Sequence, residues 1–164
     1  MTNLDLILGR MHRCGVEIVV IGGVAATAHG SARVTYDIDL LYSRSDENIA
    51  RLVEALRPLA PYLRGAPAGL PFDWSVATVT AGLNFTLTTS AGSVDLLGEV
   101  TGAGRYEDVA PHTTALRLTR HDTLVIDLAW LIKTKRAAGR PKDLEVLAEL
   151  ELLQELGARH SRPT

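Results

Sequence analysis

The chain predicts an α/β (α+β) fold, a mixed β-sheet with flanking helices, over one domain spanning residues 1–158, with 159–164 as a frayed tail. Three observations predict it. Helical-period and β-branched runs alternate early, a hairpin pattern occupies the middle, and helical patterns close the sequence. With 164 residues, 46% hydrophobic and 22% charged, the chain can bury a core without disulfide or metal staples.

Leu4, Leu6, Ile7, Leu8 and Met11 recur at helical spacing behind Thr2 or Asn3 as cap, and Gly15 ends that helix. Val16–Ile21 is a β-branched run suited to a strand covered on both faces. Gly22 and Gly23 break it, and a short helix closed by Gly30 follows. Tyr36–Ser43 reads as a second strand. Ser45 then caps an amphipathic helix over 46–59, with Asp46 and Glu47 in its first turn. Three prolines and two glycines between Ala60 and Pro71 mark an irregular connection.

The segments 83–89 and 93–100 alternate as a hairpin around Ser90-Ala91-Gly92. Residues 102–113 read as loop with one helical turn, and 114–120 as a further strand. A helix over 124–139 ends at Gly139, and Pro141 starts another through Leu156. From Gly157 onward the pattern fades into fraying. Trp74 and Trp130 read as core residues.

A net charge of −2 excludes a polyanion binder held by bulk charge, although a local basic patch is compatible with it. The single cysteine, Cys14, makes no internal disulfide and supplies no Cys-rich metal site. The N-terminus lacks the pattern of a signal peptide, and no segment nears the roughly 20 apolar residues of a membrane span. A cytoplasmic protein with no membrane partner is expected.

The chemistry lies in Val20–Leu41, "VIGGVAATAHGSARVTYDIDLL". Residues i and i+2 of a strand share a face, so Asp37 and Asp39 project together between apolar neighbours. Two adjacent carboxylates repel, and a hard divalent cation such as Mg²⁺, which favours oxygen ligands, resolves the conflict. Asp95 in "SVDLL" offers a third carboxylate in the same apolar setting. Three such acids from neighbouring strands suit the cations that clamp a phosphoryl transfer. Gly22 and Gly23, at the junction of a strand and a helix, would let a phosphate approach backbone N–H groups.

Taken together, Ile21-Gly22-Gly23, a gap of thirteen residues, Asp37-Ile38-Asp39-Leu40 and the later Val94-Asp95-Leu96 resemble the DNA polymerase β-like nucleotidyltransferase superfamily. The gap is at the long end of that pattern. "LIKTKRAAGRPKDLEVLAEL" resembles the Lys-then-Arg-x-x-Asp-Leu helical segment of AbiEii-type toxin nucleotidyltransferases, so the likeness runs from about Val16 to Leu153. It implies a nucleotidyltransferase-like fold and Mg²⁺ held by Asp37, Asp39 and Asp95, with an NTP as co-substrate. Lys135 shares a helix face with Leu128, Leu131 and Ile132 and is the first choice for the triphosphate, while Lys133 points roughly the other way and is the second. Arg140 is a candidate phosphate contact. Asp143 matches the late acid of the family, with either a catalytic role or that of fixing the Lys and Arg. His29 and Arg33 lie in the gap between glycines and acids; for His29 a helix-end structural role is expected.

Three classes of function follow. One is a transferase moving a nucleotide to an acceptor hydroxyl, with the tRNA 3′ end or a protein as acceptor. This is the role of a toxin in a toxin–antitoxin or abortive-infection system with a cognate antitoxin; small drug molecules are acceptors elsewhere in the superfamily. The second is a minimal nucleotidyltransferase acting as antitoxin, whose usual Gly-Ser, Arg-Gly and Ser-Asp pattern this chain departs from. The third is a nucleotide-binding protein without turnover.

Overall fold

The computed structural model describes residues 1–160. Helix α1 (Leu4–Arg13) starts at Asn3, whose side chain accepts the Leu6 N–H at 3.0 Å, and buries Ile7, Leu8 and Met11. Strand β1 (Ile18–Ile21) follows, buried along its whole length, and leads without a loop into α2 (Gly22–Ala28). Strand β2 (Asp37–Tyr42) carries the two acids at its start. Helix α3 (Asp46–Leu56) is capped by Ser45, as its sequence predicts. Asn48, fully buried on this helix, accepts the Glu17 N–H and donates to the Glu17 and Ser43 carbonyls, tying α3 to the entrance of β1 and the exit of β2.

The connection read as irregular contains a short edge strand, β3 (Tyr62–Leu63). Helix α4 (Val76–Ala81) precedes the hairpin of β4 (Asn84–Thr89) and β5 (Gly92–Leu97). The one-turn helix α5 (Tyr106–Val109) leads to a second hairpin, β6 (Thr113–Arg117) and β7 (Asp122–Ile126). Helices α6 (Leu128–Ala138) and α7 (Pro141–His160) end the described chain.

All seven strands form one mixed sheet in the order β3-β4-β5-β2-β1-β7-β6. The centre holds two parallel pairs, β2 with β5 and β1 with β7, and every other pair is antiparallel. One contiguous set of buried side chains runs from Ile7 to Leu150. On β2 the pleat sends Ile38, Leu40 and Tyr42 into this core and leaves Asp37 and Asp39 on the opposite face. Trp74 is core, its indole N–H donating to the Val53 carbonyl at 3.1 Å. Trp130 is only partly buried, against His112. Among the described residues, no helix is long and apolar enough to cross a membrane.

The structure also corrects the sequence reading of two helices. Residues 124–139 are not one helix. Leu124, Val125 and Ile126 belong to β7, where Val125 pairs with Val20, and the helix begins only after Asp127. A short apolar run carries no period that separates strand from helix, and here the open edge of β1 decides. Helix α7, in turn, runs through Gly157 to His160, so Arg159 and His160 are helical rather than frayed. A lone glycine weakens a helix by about 1 kcal/mol without ending it. The remainder of the predicted tail, 161–164, lies outside the described residues.

Candidate active site

Two neighbouring parallel strands bring the acids together. In the β2–β5 register Asp39 stands directly across from Asp95, and Asp37 across from Ser93. All three carboxylates therefore occupy one face of the sheet, at the floor of a cleft of about 530 Å³. Helix α2 forms one wall of this cleft, and the ends of α6 and α7 form another.

The glycine pair has a steric reason to be where it is. Gly22 has φ +66°, and a Cβ there would run into the Asp39 carboxylate. A Cβ on Gly23 would meet the Thr35 hydroxyl. The Gly23 N–H donates to Asp39, so the turn that opens α2 seats the acid as well as lining the cleft. Thr35 in turn donates to Asp37 Oδ1 at 3.0 Å.

Burial is the first cause that pushes the Asp39 carboxyl up to about 6, and the charges of Asp37 and Asp95 push it further. Lys135 and the Gly23 N–H act in the opposite direction without cancelling the effect. Asp95 is also raised, again first by burial, although the Arg64 guanidinium works against it.

Asp143 is completely buried and accepts from Lys135 Nζ at 2.8 Å and from Arg140 Nε at 2.6 Å. Burial alone would raise its pKa, but these two donors and their charges hold it below the ordinary carboxylate range. The late acid thus fixes the lysine and the arginine, one of the two roles left open by sequence. Lys135, with its side chain 17% exposed, is held at the cleft wall beside Asp39.

The structure brings Gly22, Gly23, Asp37, Asp39 and Asp95 into one cleft together with Lys135, Arg140 and Asp143. It does not bring Lys133 there. That ammonium lies 4.3 Å from the centre of the Trp130 ring, because two residues along a helix turn a side chain to the far face. Lys133 is therefore not a cleft residue. His29 caps the end of α2 and its Nε2 donates to the Ile126 carbonyl at 2.7 Å, the structural role expected of it. Arg33 lines the cleft while pairing with Glu145 and Glu149 of α7.

Sequence reasoning missed Arg64 and Thr35. Arg64 follows β3 and donates through Nη2 to Asp95 Oδ1 at 2.7 Å, with Nη1 3.9 Å from Asp37 Oδ2. Nothing local in a Pro/Gly-rich segment announces it; only the pairing of β3 with β4 carries it to the acids. Lys142 lines the cleft and lowers the pKa of Asp95 by its charge.

Three carboxylates share one face, and one of them, Asp39, has a raised pKa and no ion pair with an arginine; carboxylate oxygens are the ligands that hard divalent cations favour. As arranged, with Arg64 across Asp37 and Asp95, no group of three or more His, Cys, Asp or Glu among the described residues is gathered to hold a metal ion. No family model and no curated protein matches the chain.

Proposed function

We propose that the protein is a Mg²⁺-dependent nucleotidyltransferase that moves a nucleotide from an NTP to an acceptor hydroxyl. The observation that carries this reading is the pairing of Asp39 with Asp95 across adjacent strands, with Asp37 on the same face and Lys135 beside them. A floor of carboxylates and a wall of Lys135, Arg140 and Lys142 is the charge pattern that an NTP with its divalent cation complements.

In this reading Asp37, Asp39 and Asp95 hold Mg²⁺, whose chemistry is to neutralise phosphate oxygens and ease ionisation of the attacking hydroxyl. Lys135 and Arg140, preorganised by Asp143, bind the triphosphate. Gly22 and Gly23 leave the backbone open to a phosphate beside Asp39. The acceptor oxygen attacks the α-phosphorus and forms the new P–O bond. The α–β bridging bond breaks, and pyrophosphate departs with its electron pair. The acceptor's proton passes to the Asp95 carboxylate, the candidate base of this reading.

The resemblance to AbiEii-type toxins supports a tRNA 3′ end or a protein hydroxyl as acceptor, in the cytoplasm and with a cognate antitoxin. Incubation with each α-³²P-labelled NTP, Mg²⁺ and total tRNA or cell lysate tests it, with Asp37→Ala/Asp39→Ala as control. A labelled RNA or protein band absent from the control is the expected result. NTP binding without any transfer would favour a second reading, a nucleotide-binding protein without turnover, for which the Arg64–Asp95 ion pair is the specific support.

A further inference from the structure

We propose that Arg64 is a resident counter-cation of the acid face, which competes with a divalent cation for Asp95 and Asp37 and gives way as the cation loads. The inference rests on the metal-dependent reading above and adds to it a residue outside every motif that suggested that reading.

The geometry is specific. Arg64 continues the pairing of β3 with β4, its N–H donating to the Thr86 carbonyl at 2.9 Å, so the backbone is anchored beside the acids. Its side chain crosses β4 to the acid on β5. Nη2 divides its donors between Asp95 Oδ1 at 2.7 Å and the Leu87 carbonyl at 3.0 Å, and Nη1 faces Asp37. Asp39, directly across from Asp95, has no ion pair with Arg64; its opposing charge comes from Lys135. The guanidinium therefore opposes the charge of two of the three carboxylates and leaves the third to Lys135.

Such a position does two things. It keeps like charges from destabilising the face when no metal is bound. It also places a positive charge where a divalent cation sharing Asp95 and Asp37 must sit, and the two cannot occupy it together without strong repulsion. The side chain is the part able to leave. Its Nε is buried with no hydrogen-bond partner, so the present seat does not satisfy the guanidinium fully. A merely structural arginine would be expected to have its donors met, since buried polar groups nearly always are.

The test is Mn²⁺ binding to the NTP-free protein, read from the electron paramagnetic resonance signal of free Mn²⁺. It is run on wild type, Arg64→Gln and Arg64→Lys. Glutamine removes the charge but keeps a donor for Leu87; lysine keeps the charge, and circular dichroism checks that each variant folds. Removing one unit charge at this separation should tighten Mn²⁺ binding by about tenfold or more in Arg64→Gln, even with most of the interaction screened by solvent. Arg64→Lys should stay within about threefold of wild type, because a charge remains. Equal or weaker binding in Arg64→Gln, with wild type binding saturably, would overturn the role of Arg64 and leave the metal reading standing. Absence of Mn²⁺ binding in all three proteins would overturn the metal reading, and this inference with it.

Discussion

Asp39→Asn should make the metal-free protein more stable at pH 8, although it removes a residue at the centre of the site. Burial and two neighbouring acids raise the Asp39 carboxyl from 3.8 to about 6. A raised folded-state pKa means that the folded chain binds more protons than the unfolded one between these values, so stability falls as pH rises through them. The stabilising share is fully present below pH 3.8 and is lost once pH exceeds about 6. Two pKa units correspond to about 3 kcal/mol, a penalty borne in full at pH 8. Asparagine is neutral at every pH and keeps an oxygen to accept the Gly23 N–H.

The change with pH is firmer than the absolute gain, because any fixed cost of the substitution cancels in it. The linkage relation gives a penalty of about 1 kcal/mol at pH 4.5 against about 3 at pH 8. The advantage of Asp39→Asn over wild type should therefore grow by about 2 kcal/mol between these two values. Urea unfolding in a chelator, followed by the fluorescence of Trp74 and Trp130, measures it. An advantage that stays constant with pH, or shrinks as pH rises, would refute the claim that Asp39 is held ionised against its surroundings.

Asp143→Asn should be destabilising, by about 2–4 kcal/mol, because it leaves the Lys135 ammonium without its buried carboxylate; a thermal melt reads it. Asp143 has a lowered pKa, so the loss should be full at neutral pH and disappear only as pH falls through the folded-state value, below the ordinary carboxylate range. Gly22→Ala should cost at least about 1–3 kcal/mol, from a strained φ and a collision with Asp39, whereas Gly9→Ala in α1, with open space around it, should gain about 0.5–1. If the cleft binds an NTP, Lys135→Met should weaken that binding at least tenfold by equilibrium dialysis, and Lys133→Ala should leave it unchanged.

The acids were legible because a strand's two-residue period is rigid. Once 36–43 is read as a strand, Asp37 and Asp39 must share a face, and the structure bears that out. The Ser45 cap and the hairpin turn at Ser90-Ala91-Gly92 were legible for similar reasons, since each depends on a few adjacent residues. Lys135 and Lys133 were told apart by helical angle alone, and of the two Lys135 lines the cleft while Lys133 lies over Trp130. What escaped was set by partners distant in sequence. Val125 is a strand residue because β1 has a free edge to fill, and Arg64 reaches Asp95, 31 residues later, because β3 closes the other side of the sheet. No window of a dozen residues contains either fact.

The same distinction explains why the acid face survives in a fold that it destabilises. Its cost is local, confined to one edge of β2 and β5, whereas the core behind those strands is continuous: Ile38, Leu40, Val94 and Leu96 are buried on the other side of the same backbone. The pleat separates the two demands, since each strand offers alternate residues to each face. The cations nearest the acids come from elsewhere in the chain: Lys135 from α6, Arg140 from the residue before α7, Lys142 from its first turn, and Arg64 from the residue after β3. Substitution of any one of them alters the electrostatics of the cleft without touching the buried face of β2. Activity and stability should therefore separate cleanly at Lys142, and fail to separate at Asp143 and Gly22, where the site and the packing share the same atoms.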